Sequence, residues 1–373
     1  MGTLALHEFH HQIGGRFHEL HGMEAVSSYG DPAAEYQALR STAGAIDLSF
    51  RSRICLLGAD RKKFLHGQVT NQVNELATGS GCYAALVTAK GKMQSDLLIH
   101  CLEDELLLDF EPGLASAIAQ RLERYIIADD VQVVDVGEPY GHLSLQGPAA
   151  RSALDLLDLG IAAPAAACGS IHLAHPTLGD LYVVRQPRLG SEGFDFFAPA
   201  AALGALFDKL AAGARAVGGR AVGWDAFEVV RIEGTIPRFG ADMDETTLPP
   251  EAGLESRAIS YSKGCYIGQE VIARIRTYGQ VARAIRGIHF PGAKAGAPAR
   301  GEKLHWGGKE IGHITSACLS PALGGGVALA YLRREHNAPG DEVEVRSAEG
   351  TLAGVVRTVP FQPFGGVDTA PRN

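Results

Sequence analysis

The sequence predicts an α+β protein, in which two duplicated units of the ferredoxin-like, split β-α-β type are followed by a small antiparallel β-barrel. Segments 54–60 and 143–149 indicate the duplication, because each is a short apolar run that ends in glycine before a helical pattern. Segments 109–112 and 196–199 form a second similar pair. The glycines of the first pair are 89 residues apart and the prolines of the second are 87 apart, as expected for a repeated unit.

The first unit reads as a strand, a helix, two strands, a helix and a strand. The predicted segments are 54–57, 61–72, 83–88, 96–101 with 106–110, 115–125 and 131–136. Strands and helices alternate less regularly than in a doubly wound sheet, and no G-x-G-x-x-G stands where a dinucleotide-binding turn would need it. This order favours a split β-α-β arrangement over a Rossmann domain.

The pattern changes after residue 283, where turn residues separate short apolar runs. The turn signals are Pro291-Gly292, Gly307-Gly308, 324–326 and Pro339-Gly340, a spacing typical of a small antiparallel barrel. We divide the chain into an N-terminal segment that packs on the core, two α+β units, the barrel and a frayed tail. These parts are residues 1–50, 51–140, 141–280, 281–363 and 364–373.

The composition argues against nucleic-acid-binding, membrane-associated and metal-binding proteins. The chain has 373 residues, 46% of them hydrophobic, and its net charge of −8 gives no general electrostatic reason to bind nucleic acid or an anionic membrane. The six cysteines are far apart and form no C-x-x-C pair, which is typical of reduced thiols without a sequence-local metal or iron–sulfur site. We therefore expect no metal site, no membrane association and no direct nucleic-acid binding. No secretory apolar stretch stands near the N-terminus, so we also expect a cytoplasmic protein.

The most informative segment is the octapeptide 263–270, which reads KGCYIGQE. It places Cys265 two residues after Lys263 and shortly before a helical pattern that opens at Gln269. A nearby cation and a helix N-terminus both favour the thiolate, so the segment predicts a lowered thiol pKa and a reactive Cys265. The alternative is a buried structural cysteine on a tight turn that the two glycines permit.

The octapeptide resembles the signature of the YgfZ-type folate-binding proteins, which are relatives of the glycine-cleavage T protein, an aminomethyltransferase. The similarity extends to 29–31, 43–49, 64–71 and 311–317. It implies a T-protein-like core that binds tetrahydrofolate or a one-carbon derivative of it. It also implies an accessory protein that supports iron–sulfur cluster assembly or repair in client enzymes, including tRNA-modifying enzymes, with Cys265 as its reactive thiol. The implied partners are iron–sulfur client or assembly proteins and the small-molecule folate.

A folate site needs a carboxylate for the pterin edge, arginines for the tail carboxylates and aromatic rings for the flat faces. Arg231 and Glu233 resemble the R-x-E-x-G segment of the family, in which the glutamate binds the pterin. Without the resemblance, Glu233 reads as a solvated carboxylate at a helix end. Arg238 and Glu251 belong to two proline-containing loops that match the relatives and would wrap the pocket.

Tyr83, Asp96 and Arg274 complete the predicted site. Asp96 follows a glycine hairpin that would present it to the pocket, and Tyr83 lies one strand earlier, either as an aromatic wall or as a core tyrosine. Arg274 stands four residues after Glu270, which suits a helix ion pair and a clamp for a folate carboxylate equally.

Two other functions stay open at this point. In T-protein aminomethyltransferases the hairpin carries adjacent aspartates, whereas this chain has Ser95 before Asp96 and so has lost one group that could assist proton transfer. The sequence therefore favours a folate-binding accessory protein over a folate-dependent aminomethyltransferase, which is the alternative. A thiol redox sensor without folate is disfavoured, because it would leave Glu233 and its surroundings without a use.

Overall fold

The computed structural model describes residues 2–160, 162–279, 281–293, 296–347, 350–358 and 360–361. Two α+β halves, each with its own sheet, precede a closed barrel of six strands. The predicted tail, 364–373, lies outside the described residues. None of the described helices is long and apolar enough to cross a bilayer.

The N-terminal segment supplies part of the core as well as covering it. Its elements are α1 (His7–Gln12), β1 (Arg16–Leu20), β2 (Met23–Ser28), α2 (Pro32–Ser41) and β3 (Gly44–Asp47). Asp31 caps α2, because its side chain accepts a hydrogen bond from the backbone N–H of Ala34. β3 pairs with a strand of the second half. The sequence pattern placed the strands of that half within residues 141–280 only, so the N-terminal segment adds a strand that was not predicted.

The first half is a five-stranded sheet with two helices. Its elements are β4 (Ser52–Leu57), α3 (Arg61–Gln68), β5 (Ser80–Val87), β6 (Met93–Cys101), β7 (Leu106–Phe110), α4 (Ala115–Glu123) and β8 (Gln132–Asp135). The strand order is β5-β6-β7-β4-β8. Apolar side chains such as Phe64, Ile99 and Leu122 form a buried core between the sheet and the helices.

The second half repeats this arrangement. Its elements are β9 (Tyr140–Gln146), α5 (Ala150–Asp155), β10 (Ser170–His175), β11 (Gly179–Arg185), β12 (Gly193–Pro199), α6 (Leu203–Ala216) and β13 (Arg220–Ala221). The sheet order is β10-β11-β12-β9-β3-β13, whose first four strands match β5-β6-β7-β4 of the first half one for one. The predicted duplication of a split β-α-β unit is therefore confirmed.

Three of the described helices lie between the second half and the barrel. They are α7 (Trp224–Glu233), α8 (Glu255–Ala258) and α9 (Gln269–Tyr278). The barrel strands are β14 (Arg283–Phe290), β15 (Lys303–Trp306), β16 (Lys309–Ser320), β17 (Gly325–Arg333), β18 (Glu342–Ser347) and β19 (Gly350–Arg357). They close in the order β14-β17-β16-β15-β18-β19, which confirms the predicted antiparallel barrel. Gly307 and Gly308 turn the chain between β15 and β16 with φ of +54° and +81°, a conformation that favours glycine.

One predicted helix is shorter than expected. The pattern over 61–72 predicts a helix to residue 72, but α3 ends at Gln68 and Val69 is extended. The hydroxyl of Thr70 donates to the carbonyl of Ala258 at 2.6 Å and accepts from the N–H of Ala85 at 2.9 Å. These contacts with distant segments outweigh the local helix preference.

Candidate functional site

A central cavity opens between the two halves. Its walls come from β5 and β6, from the loop after β11, from α7 and from the loop that follows α7. The space between its lining atoms, including the open mouth, is about 740 Å³. Four residues of the predicted site line it: Tyr83, Asp96, Arg231 and Arg238.

Asp96 is the most chemically distinctive residue in this cavity. The Tyr83 hydroxyl donates a hydrogen bond to Asp96 Oδ2 at 2.7 Å, while Oδ1 is buried and has no hydrogen-bond partner among the described residues. Burial, followed by the nearby Glu111 carboxylate, raises the pKa of Asp96 to about 6. A carboxyl group with that pKa can accept or release a proton near neutral pH.

Ser95 lies on the opposite face of the same strand. Successive strand residues point to opposite faces, and Ser95 is fully buried, with its hydroxyl donating to the Asp96 carbonyl at 3.0 Å. A carboxylate at position 95 would therefore not enter the cavity. Asp96, which the chain retains, is the residue that lines the cavity, so the predicted loss of a proton-transfer group at Ser95 is not supported.

A buried network of arginines and carboxylates forms one wall. Arg51 binds Asp109 at 2.8 Å and Glu111 at 2.7 Å, Arg238 binds Glu111 at 2.7 Å, and Arg188 also reaches Asp109. Burial raises the pKa of the Asp109 carboxyl, but Arg51 and Arg188 outweigh that effect and hold this pKa well below its ordinary value. The pairing fixes these charged side chains in place and consumes most of their hydrogen-bonding capacity.

Arg231 lines the cavity but is bound elsewhere. Its guanidinium contacts Asp242 at 2.6 Å, Glu228 at 2.7 Å and the Ser316 hydroxyl of the barrel at 2.9 Å. It is 2% exposed. Arg231 therefore joins α7 to the barrel and positions the wall of the cavity.

Glu233 lies outside the cavity lining. Its carboxylate accepts hydrogen bonds from the Tyr36 hydroxyl at 2.9 and 3.0 Å and from the Ser320 hydroxyl at 2.5 Å. The residue is 1% exposed, so it is not a solvated helix-end carboxylate either. These contacts join α2, α7 and the barrel. The position of Glu233 does not support the predicted contact with a pterin, which stays a prediction.

Glu251 and Arg274 are also absent from the cavity lining. Glu251 is buried and pairs with Arg283 at 3.2 Å, where the loop before α8 meets the barrel. Arg274 forms an exposed i,i+4 ion pair with Glu270 at 2.8 Å, with the two side chains 70% and 85% exposed. Such pairs contribute only ~0.3–0.5 kcal/mol. Of the two interpretations of Arg274, the structure favours the helix ion pair.

Lys263 anchors a neighbouring loop. Its ammonium donates to the carbonyls of His66 at 2.6 Å, Val69 at 2.7 Å and Asn71 at 2.8 Å. Burial lowers the pKa of Lys263 to about 8. The ammonium is directed to these three carbonyls, and no hydrogen bond joins it to Cys265 among the described residues. The expected activation of the thiol by Lys263 is therefore not supported by its position.

Cys265 is exposed beside this anchored loop. All six cysteines lie in the described ranges, and Cys265 is the one that is exposed, which argues against a buried structural role. The Ile267 N–H donates to the Gly67 carbonyl at 3.1 Å, and Gly268, at φ +85°, leaves no room for a side chain against the Thr88 carbonyl. α9 begins at Gln269, as predicted. Cys265 does not line the central cavity.

Several residues of the cavity were not predicted from the sequence: Arg51, Asp109, Glu111, Arg188, Trp224 and Arg257. One signal was present, because Asp109 interrupts the apolar run Leu106–Phe110 and a charge inside a buried strand needs a partner. No comparable local signal marks the arginines.

Known proteins resemble this chain over nearly its whole length. The family model described as the GCVT N-terminal domain matches residues 6–263, and the glycine cleavage T-protein C-terminal barrel domain matches residues 283–362. An aminomethyltransferase of Rubrobacter xylanophilus is 28% identical, covering 92% of this chain and 91% of its own. One of Cupriavidus necator is also 28% identical, covering 95% and 96%.

A solved structure has the same fold. The glycine cleavage system aminomethyltransferase T of Bartonella henselae superposes with a TM-score of 0.87 at 24% identity, covering 97% of this chain and 98% of that one. The likeness confirms the predicted T-protein-like α+β core and barrel. Together with the two domain matches, it shows that the chain belongs to the glycine-cleavage T-protein family.

Proposed function

We propose that this protein binds tetrahydrofolate in the central cavity. The observation that carries the proposal is Asp96, which lines the cavity and whose buried Oδ1 has no hydrogen-bond partner among the described residues. A pterin edge offers N–H donors that such a carboxylate can accept. Tyr83, Trp224 and Phe227 provide aromatic surface in the same cavity. The residues present therefore fit a reduced folate.

Tetrahydrofolate carries one-carbon units on its ring nitrogens. Asp96, with a pKa near 6, can hold or exchange a proton at the part of a ligand that reaches it. Arg51 and Arg238 keep the wall in place through Glu111. These contributions serve binding alone and binding with turnover equally well, so the use made of the folate depends on features outside the cavity.

For that use, our proposal is an accessory role in iron–sulfur cluster assembly or repair in client enzymes, including tRNA-modifying enzymes. Its support is the octapeptide 263–270, which resembles the YgfZ-type signature and presents an exposed thiol outside the cavity. Lys263 holds the adjoining loop with three hydrogen bonds, so Cys265 stands beside a rigid base. A fixed, exposed thiol suits contact with another protein better than contact with a ligand in the cavity.

The second candidate is a folate-dependent aminomethyltransferase. The names of the similar proteins favour it, and Asp96 in the cavity, with a pKa of about 6, is compatible with it. Both candidates need Asp96 to bind the folate, but an enzyme of this kind would have no evident need of Cys265. This difference in residue requirements separates the two candidates.

One assay distinguishes them. Purified protein is given a lipoyl carrier protein loaded with an aminomethyl group, together with tetrahydrofolate, and we expect no methylene-tetrahydrofolate above the protein-free background. Turnover that is lost in Asp96→Asn but retained in Cys265→Ser would contradict the accessory role. That result would establish the transferase.

A further inference from the structure

Five arginines line the central cavity, and four of them are held by acidic side chains. The four are Arg51, Arg188, Arg231 and Arg238, each within 2.8 Å of a carboxylate oxygen. The fifth, Arg257, is exposed, and its guanidinium forms no ion pair with any residue that the structure describes. Among the residues that the structure describes, Arg257 is thus the cation of the cavity wall that is available to an anionic ligand.

The backbone beneath Arg257 is fixed. Its N–H donates to the Leu254 carbonyl at 3.1 Å, and its carbonyl accepts from the Asn71 side chain at 3.2 Å. The next residue, Ala258, accepts the Thr70 hydroxyl at 2.6 Å. The guanidinium therefore moves on a rigid base, which limits the entropy lost when it binds a ligand.

Arg257 and Asp96 flank one aromatic ring. The guanidinium carbon lies 5.3 Å from the centroid of the Tyr83 ring, and the hydroxyl of the same tyrosine donates to Asp96 at 2.7 Å. Asp96 is in the wall, whereas Arg257 is exposed at the mouth. An elongated ligand with a donor-rich head at Asp96 would extend past the face of Tyr83 toward Arg257.

We infer that Arg257 forms a carboxylate subsite at the mouth of the cavity and holds the glutamate tail of a reduced folate. The inference rests on the proposed tetrahydrofolate site. The tail carries the carboxylates of this ligand, and the planar guanidinium can bind a carboxylate through two parallel hydrogen bonds. Arg274, which the sequence suggested for this task, lies outside the lining and is paired with Glu270.

The test uses two ligands that differ in the tail. Calorimetric titrations are made with tetrahydrofolate and with 6-methyltetrahydropterin, which has the ring but no carboxylate, on the parent, Arg257→Gln and Arg257→Lys. Arg257→Gln is expected to weaken tetrahydrofolate binding by roughly tenfold and to leave 6-methyltetrahydropterin unchanged. Arg257→Lys should bind tetrahydrofolate with an affinity between those of the parent and Arg257→Gln, because an ammonium keeps the charge but cannot form the two parallel hydrogen bonds of a guanidinium. Arg274→Gln is the matched control and should change neither titration.

Ionic strength gives a second readout. Because Arg257 is exposed, the difference between parent and Arg257→Gln should shrink in 1 M salt. A similar loss for both ligands would overturn the subsite, since Arg257 would then be supporting the ring pocket. Unchanged tetrahydrofolate binding in Arg257→Gln would overturn the subsite and leave the folate site intact. A parent that binds neither ligand would overturn the folate site and this inference together.

Discussion

Replacing Cys265 by serine is expected to abolish support of iron–sulfur enzymes in cells that lack the parent protein, while the fold and tetrahydrofolate affinity stay unchanged. Cys265 is exposed and outside the cavity lining, and the hydroxyl is close to the thiol in size, so little packing is lost. What the variant loses is the nucleophilic sulfur. The measurement is the activity of iron–sulfur enzymes in the complemented cells, alongside circular dichroism and folate titration of the purified variant.

Cys82→Ser provides the matched control. Cys82 is half-buried on β5, and burial raises the pKa of its thiol to about 12, so its sulfur is protected from reaction. This variant is expected to complement as well as the parent. If Cys265→Ser complements equally well, the thiol has no part in the function and the accessory role loses its main support.

Asp109→Asn is expected to cost roughly 3–5 kcal/mol of unfolding free energy, the usual result of removing one partner from a buried ion pair. Asp109 is fully buried and forms ion pairs with Arg51 at 2.8 Å and with Arg188 of the second half. The neutral amide would remove the negative charge that the two buried guanidinium groups share. Urea titration followed by tryptophan fluorescence in a Trp306→Phe background reports the core through Trp224 alone, since the chain has two tryptophans.

The effect should also depend on pH. The pKa of Asp109 is depressed in the folded state, so its contribution is complete above the ordinary aspartate value of about 3.9 and is lost as pH falls below it. The parent and Asp109→Asn should therefore converge in acid. Asp180→Asn, at a carboxylate 60% exposed, is the control and should change stability by less than about 0.5 kcal/mol. Equal losses in both variants would contradict the role of the buried network.

Much of the fold could be predicted because its signals are local. The offset between Gly58 and Gly147 reflects a strand order that recurs in both sheets, and the turn glycines after residue 283 lie between barrel strands. The end of α3 could not be predicted in this way. It depends on Thr70 meeting Ala258, 188 residues later in the chain, and no local pattern carries that contact.

In the candidate site, too, the contacts set by local sequence could be predicted, and the contacts between distant segments could not. Tyr83 and Asp96 lie on adjacent strands of one hairpin, so their meeting followed from the predicted pairing. Glu233 stands at the end of a helix, where its direction depends on Tyr36 and Ser320 from distant elements. The sequence pattern could identify it as a carboxylate worth attention, but the neighbours that bind it are set by tertiary packing.

Tetrahydrofolate titration of the parent and Asp96→Asn tests the central claim most directly, with Ser95→Ala as the control on the opposite face of the strand. The parent should bind at pH 7.5, and its affinity should fall as pH drops through about 6, where Asp96 gains a proton and loses acceptor capacity. Asp96→Asn should bind at least roughly tenfold more weakly, without that pH dependence. Equal affinity in the parent and Asp96→Asn would contradict the assignment of the central cavity as the folate site.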